Sequence, residues 1–173
     1  MKELVSIDSV SFDGFDKNRV YECADKVVDY FNEFGFHTEK LEIEGAFPCV
    51  FAKSEIDANK ATILLYAHYD VQPQMRIEKW ESEPFIPTER NGRLYGRGCA
   101  DDKAGIMVHM ASINAFLKAS ESLPVNVKCL IEGEEEIGSP NLSKYIEKLG
   151  SEFSADAVVI ADDTMTADAV ATT

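Results

Sequence analysis

Residues 64–73 read LLYAHYDVQP, an apolar run that ends in a histidine and an aspartate two positions apart. A short apolar run bounded by turn residues is typical of a buried strand, so we predict a strand that ends close to His68. A neutral imidazole binds zinc well, and a nearby carboxylate such as Asp70 can set its tautomer and raise its basicity. A core histidine with one satisfied hydrogen bond is the alternative for His68 taken alone. Together with the acidic clusters that follow, the pair predicts a metal site.

Two further acidic clusters lie at predicted strand-to-loop junctions. Asp101 and Asp102 follow a glycine-rich turn and precede a predicted helix, where a carboxylate is also favoured as a cap. Capping would explain one of these acids but not both. The run Glu134-Glu135-Glu136 directly follows a predicted strand over 125–131. By itself this run fits a solvated surface as well as a site, in which one carboxylate binds a cation while its neighbour accepts a proton from water.

A third acidic pair, Asp162 and Asp163, follows a predicted strand over 157–161. Local sequence is equally compatible with a simple turn at this position. However, ligands in α/β sheets gather outside the carboxyl ends of the strands. Three acidic clusters at three such ends therefore favour a single site shared with His68.

The order of the predicted elements indicates an α/β fold. Apolar spacing predicts helices and strands at these positions: helices over 18–34 (capped by Asp16), 103–118 and 141–149, and strands over 36–41, 49–52, 62–67, 93–95, 125–131 and 157–161. We expect the helix over 103–118 to be largely buried. The order implies a three-layer αβα arrangement with a mixed, mainly parallel sheet and helices on both faces. A chain of 173 residues is long enough for one hydrophobic core.

Composition excludes several classes of function. The net charge of −14 repels phosphate backbones, which argues against nucleic-acid binding. No segment approaches the roughly 18 apolar residues of a membrane span, and the start lacks a signal-peptide core, so we expect a cytoplasmic protein without a membrane partner. The cysteines form no CxxC pair, which predicts reduced, mostly buried thiols and a metal held by oxygen and imidazole. His37 and His109 are predicted to be structural.

Four ordered motifs resemble the co-catalytic zinc metallopeptidase family that contains carnosinase, the cytosolic nonspecific dipeptidases, aminoacylase and succinyl-diaminopimelate desuccinylase. They are HYDVQP at 68–73, Trp80 with Pro84-Phe85, GRLYGRG at 92–98 leading into Asp101-Asp102-Lys103, and EEIGS at 135–139. The resemblance covers nearly the whole chain. Residues 70–73 and the doubled aspartate are most similar to the carnosinase and dipeptidase branch. The resemblance implies a zinc-exopeptidase-like fold and two divalent cations, zinc first, with manganese or cobalt as alternatives.

Carried over by position, the resemblance also implies a role for each site residue. The metal ligands would be His68 for one zinc, Asp101 bridging both, Glu136 for one, and Asp162 for the metal held by His68. Asp70 would orient His68, and Glu135 would be the general base. Glu135 and Glu136 are chosen because Ile137-Gly138 follows them as in the family, which leaves Glu134 outside the site. The family also implies a cis peptide bond between Asp101 and Asp102.

The activity implied is hydrolysis of the amide bond of dipeptides or N-acyl amino acids by a water that two zinc ions activate. Family members are about twice as long, with an inserted lid or dimerisation domain and a last histidine ligand near the carboxyl terminus. No histidine follows His109 here. We therefore expect residues 1–173 to be the truncated N-terminal segment of a catalytic domain, without the lid and C-terminal part, and to have little activity alone. The full-length protein is expected to be a homodimer.

Two other classes of function stay open at this point. The first is a non-catalytic acidic α/β module that binds calcium or magnesium through oxygen, although a histidine at a strand end suits zinc better than a hard cation. The second is a structural α/β domain with acidic loops and no site. Stabilisation by a bound metal would exclude the second class, because specific binding to the folded state raises the melting temperature.

Overall fold

The computed structural model describes residues 1–163. In chain order its elements are α1 (Lys2–Val5), α2 (Lys17–Glu33), β1 (His37–Leu41), β2 (Cys49–Lys53), β3 (Thr62–His68), β4 (Thr88–Arg90), β5 (Arg93–Tyr95), α3 (Lys103–Ser120), β6 (Asn126–Glu132), α4 (Leu142–Leu149) and β7 (Ala157–Ile160). Short 3-10 turns cover Ile77–Lys79, Glu135–Ile137 and Gly150–Phe153. Every predicted helix and strand is present, with ends shifted by one or two residues. The helix α1, the strand β4 and the 3-10 turns were not predicted from the sequence.

The main sheet has five strands in the order β1-β2-β6-β3-β7. The pairs β1–β2 and β2–β6 are antiparallel, whereas β6–β3 and β3–β7 are parallel. This confirms a mixed sheet, and its parallel half is the part that carries the predicted site. His68 ends β3 opposite Glu132, the last residue of β6. The loops after β3, β6 and β7 therefore leave the sheet at one edge.

Helices cover both faces of this sheet, which confirms the three-layer arrangement. On one face α2 and α3 bury apolar side chains such as Phe31 and Ile106 against the strands. On the other face α4 buries Tyr145 and Leu149 against Leu64 and its neighbours. Asp16 caps α2 as predicted, because its carboxylate accepts a hydrogen bond from the Asn18 main-chain N–H at 3.0 Å.

The prediction that the helix over 103–118 is largely buried holds for only one side of α3. Ile106, Met110 and Ile113 are buried against the sheet, but Val108 and Phe116 are about half exposed. The apolar pattern marks residues that suit burial. Within residues 1–163, however, the sheet lies against only one side of the helix.

The amino-terminal segment is tied to the start of α3 and to the end of β3. The buried Lys103 ammonium donates to the carbonyls of Leu4 (2.8 Å) and Ile7 (2.6 Å). Burial lowers the pKa of Lys103, because the charged amine is removed from water. The Val71 main-chain N–H donates to Ser9 O at 3.0 Å, which aligns the segment beside the loop after β3. These contacts fix the amino-terminal segment next to the start of α3 and the loop after β3.

Several smaller predictions can be compared with the structure. All four cysteines are free, and Cys23, Cys49 and Cys129 are buried. His109 is also buried, with Nε2 at 2.9 Å from Tyr66 O, as expected of a structural histidine. The peptide bond between Asp101 and Asp102 is cis, as the resemblance implied. None of the helices in residues 1–163 is long and apolar enough to cross a membrane.

Candidate metal centre

Three of the four predicted metal ligands converge at the carboxyl edge of the parallel strands. His68 Nε2 lies 3.1 Å from Asp101 Oδ1 and 3.6 Å from Asp162 Oδ2. One ligand atom from each of the three residues lies within 4.8 Å of the other two. The imidazole is buried, whereas the Asp101 side chain is more than half exposed. The cluster is therefore anchored in the core and open towards solvent on the side of Asp101.

The topology explains why residues so distant in sequence meet. His68 is the last residue of β3, and Asp162 follows β7, which pairs in parallel with β3. Asp101 reaches the same place from the loop before α3. Its neighbour Asp102 is the N-cap of that helix: Oδ1 accepts from Gly105 N–H at 3.0 Å and Oδ2 from His68 N–H at 3.2 Å. The helix start is thus bound directly to the end of β3.

Asp70 lies beneath the imidazole and is fully buried. Its Oδ1 is 3.2 Å from His68 Nδ1, and the Asp70 carbonyl oxygen is 3.0 Å from the same nitrogen. The carboxylate also accepts hydrogen bonds from Ser11 Oγ (2.7 Å) and from the main-chain N–H groups of Glu135 (3.2 Å) and Glu136 (3.1 Å). One carboxylate therefore holds both the imidazole and the glutamate turn, a geometry that suits the orienting role expected of Asp70.

The three adjacent glutamates have three different environments. Glu134 is buried, and its carboxylate accepts from Phe47 N–H and Asn141 Nδ2, both at 2.9 Å. Glu135 is partly exposed, with Oε2 at 3.6 Å from His68 Nε2. Glu136 accepts from the main-chain N–H of Gln72 at 3.1 Å and from its Nε2 at 2.5 Å. Glu136 lies outside the three-residue ligand cluster, so the structure brings three of the four expected ligands together.

Electrostatics in the cluster favour bound positive charge. Burial works against the charged imidazole, but the hydrogen bond to Asp70 and the charges of Asp70, Asp102 and Asp162 raise the pKa of His68 to about 10. Burial raises the pKa of Asp102 to about 7. Burial is also the main cause of the raised pKa values of Glu135, Glu136 and Asp162. Carboxylates crowded in this way retain protons unless a cation takes their place.

The donor set fits a divalent cation of the zinc type. It combines one imidazole nitrogen with carboxylate oxygens, and an orienting carboxylate contacts the other imidazole nitrogen. The residues needed to hold a cation are therefore in place on this chain.

Two polar residues beside the site were given no role from the sequence alone. Glu132 is buried at the end of β6 and accepts hydrogen bonds from the Tyr66 hydroxyl and from Ser139 Oγ at 2.9 Å. A carboxylate that ends an otherwise apolar strand is a signal that could have revealed it. Ser11, which donates to Asp70, carries no comparable local signal, because its partner is 59 positions away.

Comparison with known proteins relates the chain to a peptidase family. Residues 64–173 match the family model described as Peptidase family M20/M25/M40. The chain belongs to this peptidase family. It is 39% identical to human Beta-Ala-His dipeptidase over 118 residues, which are 67% of this chain and 23% of that protein. It is 36% identical to the Cys-Gly metallodipeptidase dug1 of Schizosaccharomyces pombe, over 94% of this chain and 37% of the relative.

A solved structure places the fold in the same family. Human carnosine dipeptidase 1 superposes with a TM-score of 0.87 at 31% identity, covering 94% of this chain and 37% of that chain. The predicted resemblance and fold class are thereby confirmed. The M20 chain described here spans only 23% to 37% of the length of these relatives.

Proposed function

We propose that this M20 chain carries the first half of the active site of a metal-dependent peptidase that hydrolyses dipeptides or N-acyl amino acids. The observation that carries the proposal is the convergence of His68, Asp101 and Asp162, with the Glu135 carboxylate 3.6 Å from the same imidazole. The relatives are named for dipeptidase activity on Beta-Ala-His and Cys-Gly, which supports small peptides as the substrate class.

The proposed ligands divide between two cations, which we propose to be zinc. His68 and Asp162 would hold one cation, Asp101 would bridge both, and Glu136 would hold the other. Bound cations would supply Lewis-acid activation of a water and of the scissile carbonyl. The roles of this chain are to orient the imidazole through Asp70 and to keep carboxylates at the open side.

Glu135 is the proposed general base. Its side chain is partly exposed beside the cluster, so water and substrate can reach it. Burial, with the charges of Asp162 and Glu136, raises the pKa of Glu135 although the charge of His68 lowers it. A more basic carboxylate accepts a proton from the attacking water more readily and can return that proton to the leaving amine. The Glu135 main-chain N–H donates to Asp70, which also contacts His68, so the base is held close to the imidazole.

We further propose that residues 1–173 are the N-terminal segment of a catalytic domain and have little activity alone. The chain covers 37% of the curated metallodipeptidase that it matches along most of its own length. No histidine follows His109 to complete the ligands of a second cation. We propose that the whole protein is homodimeric, as the resemblance implies, and that it is cytoplasmic.

Metal titration tests this proposal against the alternative of an acidic calcium or magnesium module. The purified chain is titrated with zinc, cobalt and calcium by calorimetry, beside the variants His68→Ala and His37→Ala. We expect zinc and cobalt to bind tightly to the wild type and to His37→Ala, which removes an exposed histidine, but weakly to His68→Ala. Calcium preference that is indifferent to His68 would favour the module.

Turnover tests the part of the proposal that concerns activity. The chain with added zinc is assayed on dipeptides, with Glu135→Ala as the control. We expect at most a trace of hydrolysis. Rapid turnover that Glu135→Ala abolishes would show that the proposed dependence on a later histidine is mistaken, while it would support Glu135 as the base.

A further inference from the structure

Gln72 donates hydrogen bonds to both carboxylate oxygens of Glu136. Its main-chain N–H donates to Oε1 at 3.1 Å, and its side-chain Nε2 donates to Oε2 at 2.5 Å. The same Nε2 lies 3.4 Å from the Glu136 carbonyl oxygen. We propose that Gln72 is a positioning residue that sets the Glu136 carboxylate for the cation it would share with Asp101. This inference rests on the proposed function.

The loop that carries Gln72 is held by hydrogen bonds before and after this residue. Before it, the Val71 N–H donates to Ser9 O at 3.0 Å. After it, Arg97 Nη2 donates to Pro73 O at 3.2 Å, and Trp80 Nε1 donates to Gln74 O at 2.7 Å. A loop fixed at Val71, Pro73 and Gln74 can impose a position on Glu136 instead of following it.

These hydrogen bonds also give a role to Trp80 and Arg97, two motif residues that the proposed chemistry does not use. The guanidinium of Arg97 lies over the Trp80 ring, 5.5 Å from the ring centroid. The two side chains therefore support each other while each donates to the loop. Trp80 and Arg97, recognised in the sequence only as parts of motifs, act on the site through Gln72.

The chemistry of an amide suits this task in a site crowded with acids. An amide N–H holds a carboxylate by hydrogen bonding and leaves its negative charge intact for a cation. A lysine or arginine in the same place would neutralise the carboxylate and repel the cation, and an aspartate or glutamate would repel Glu136. Gln72 is therefore a donor that orients Glu136 without competing with the metal.

The first test is a zinc titration of the whole chain by calorimetry. The variants are Gln72→Met, which keeps the length but removes the donor, and Gln72→Lys, which replaces it with a charged donor. Gln74→Met is the matched control, because within residues 1–163 the Gln74 side chain makes no hydrogen bond and only its carbonyl is used. We expect the first equivalent of zinc to bind alike in all four proteins. The second equivalent should bind about 10- to 100-fold more weakly in Gln72→Met, as is usual for loss of a residue that orients a ligand, and more weakly still in Gln72→Lys.

The second test uses the metal-free protein and so separates this inference from the proposed function. In NMR spectra, the side-chain amide of Gln72 should give a distinct signal that moves in Glu136→Ala and stays in place in Gln74→Met. A signal like that of a freely rotating amide would overturn the inference. So would equal affinity of Gln72→Met and wild type for the second equivalent of zinc. If the wild type binds a single equivalent, the NMR signal of the Gln72 amide decides the inference. Failure of the wild type to bind zinc would instead overturn the proposed function, while the NMR result would still decide the contact.

Discussion

At the scale of single residues, the buried carboxylate of Asp70 connects the two halves of the metal centre. It contacts His68 on one side and accepts the main-chain N–H groups of Glu135 and Glu136 on the other, with Ser11 as a further donor. A buried carboxylate is stable only when it is well supplied with donors. The same contacts that satisfy Asp70 therefore align the imidazole with the glutamate turn.

Asp70→Asn should weaken zinc binding about 10- to 100-fold, the usual cost of changing a residue that orients a metal ligand. The amide has nearly the same shape as the carboxylate but no negative charge, so the charge that orients His68 is lost. Its N–H group would also face the donors of Ser11, Glu135 and Glu136, which now bind the carboxylate. Calorimetric titration measures the affinity. Asp13→Asn, at a side chain exposed to solvent, serves as the control and should bind like wild type. Equal affinity of Asp70→Asn and wild type would contradict the role assigned to Asp70.

Zinc affinity should increase as pH rises from about 6 to 8. Without metal, the pKa of His68 is raised to about 10 and that of Asp102 to about 7, so protons occupy the cluster at neutral pH. Zinc needs a neutral imidazole and must displace them, which gives about a tenfold gain in affinity per pH unit for each proton released. Calorimetry in buffers of different ionisation enthalpy counts these protons. An affinity that does not change with pH would show that the imidazole is already neutral.

At the scale of elements, the site depends on the close approach of the start of α3 to the end of β7. A Cβ built at Gly105 would lie 2.6 Å from Ala161 O and 2.4 Å from Asp102 Oδ1, so no larger residue fits there without movement. Asp162 comes directly after Ala161. The absence of a side chain at Gly105 therefore sets the distance between the helix that follows Asp101 and the strand end that carries Asp162.

Gly105→Ala should weaken zinc binding and lower the melting temperature. The added methyl group pushes α3 away from Ala161 O, and overpacking of this kind costs about 1–3 kcal/mol. Thermal melts with and without zinc give both effects. Ala111→Ser, an equally small change on the exposed side of the same helix, should leave both unchanged. A stable Gly105→Ala variant that binds zinc normally would mean that the helix and strand can separate without cost to the site.

At the scale of the whole molecule, the sheet formed by residues 1–163 ends at an apolar edge strand, β7. Within residues 1–163, β7 pairs only with β3, and its side chains are exposed along the whole strand. Val158 and Ile160 line a groove of about 420 Å³ with Tyr66, Ile146 and Phe153. An exposed apolar edge strand is a surface on which polypeptides associate.

The isolated chain should therefore self-associate as its concentration rises, through β7. Val158→Lys should reduce that association, because a charged residue on an edge strand opposes pairing with another strand. Sedimentation velocity over a range of concentrations measures it. Val108→Lys on α3 is the matched control, since both valines are 56% exposed and only one lies on the strand. An equal reduction of self-association in the two variants would indicate general hydrophobic association and not pairing through β7. A wild type that stays monomeric would contradict the prediction.

Comparison of sequence and structure separates two kinds of information. Apolar periodicity located the helices and strands. His68 and Asp162 at strand ends and Asp101 before a helix indicated a metal site, because these signals are local in the chain. The sequence also placed Glu134 outside the site, but only through the resemblance. Local spacing carried no information on which of three consecutive glutamates faces the imidazole.

Only the tertiary structure decided which way the three glutamate side chains point. The turn over Glu135–Ile137 takes its orientation from N–H groups that bind Asp70, which is 65 and 66 positions away from Glu135 and Glu136. The order β1-β2-β6-β3-β7, the donation from Ser11, the buried Glu132 and the grip of Gln72 on Glu136 likewise depend on contacts between distant segments. Composition and periodicity determine which stretches become elements and what chemistry they carry. Which side chains meet depends on strand order and loop direction, and these are set by packing and hydrogen bonds that no local pattern records.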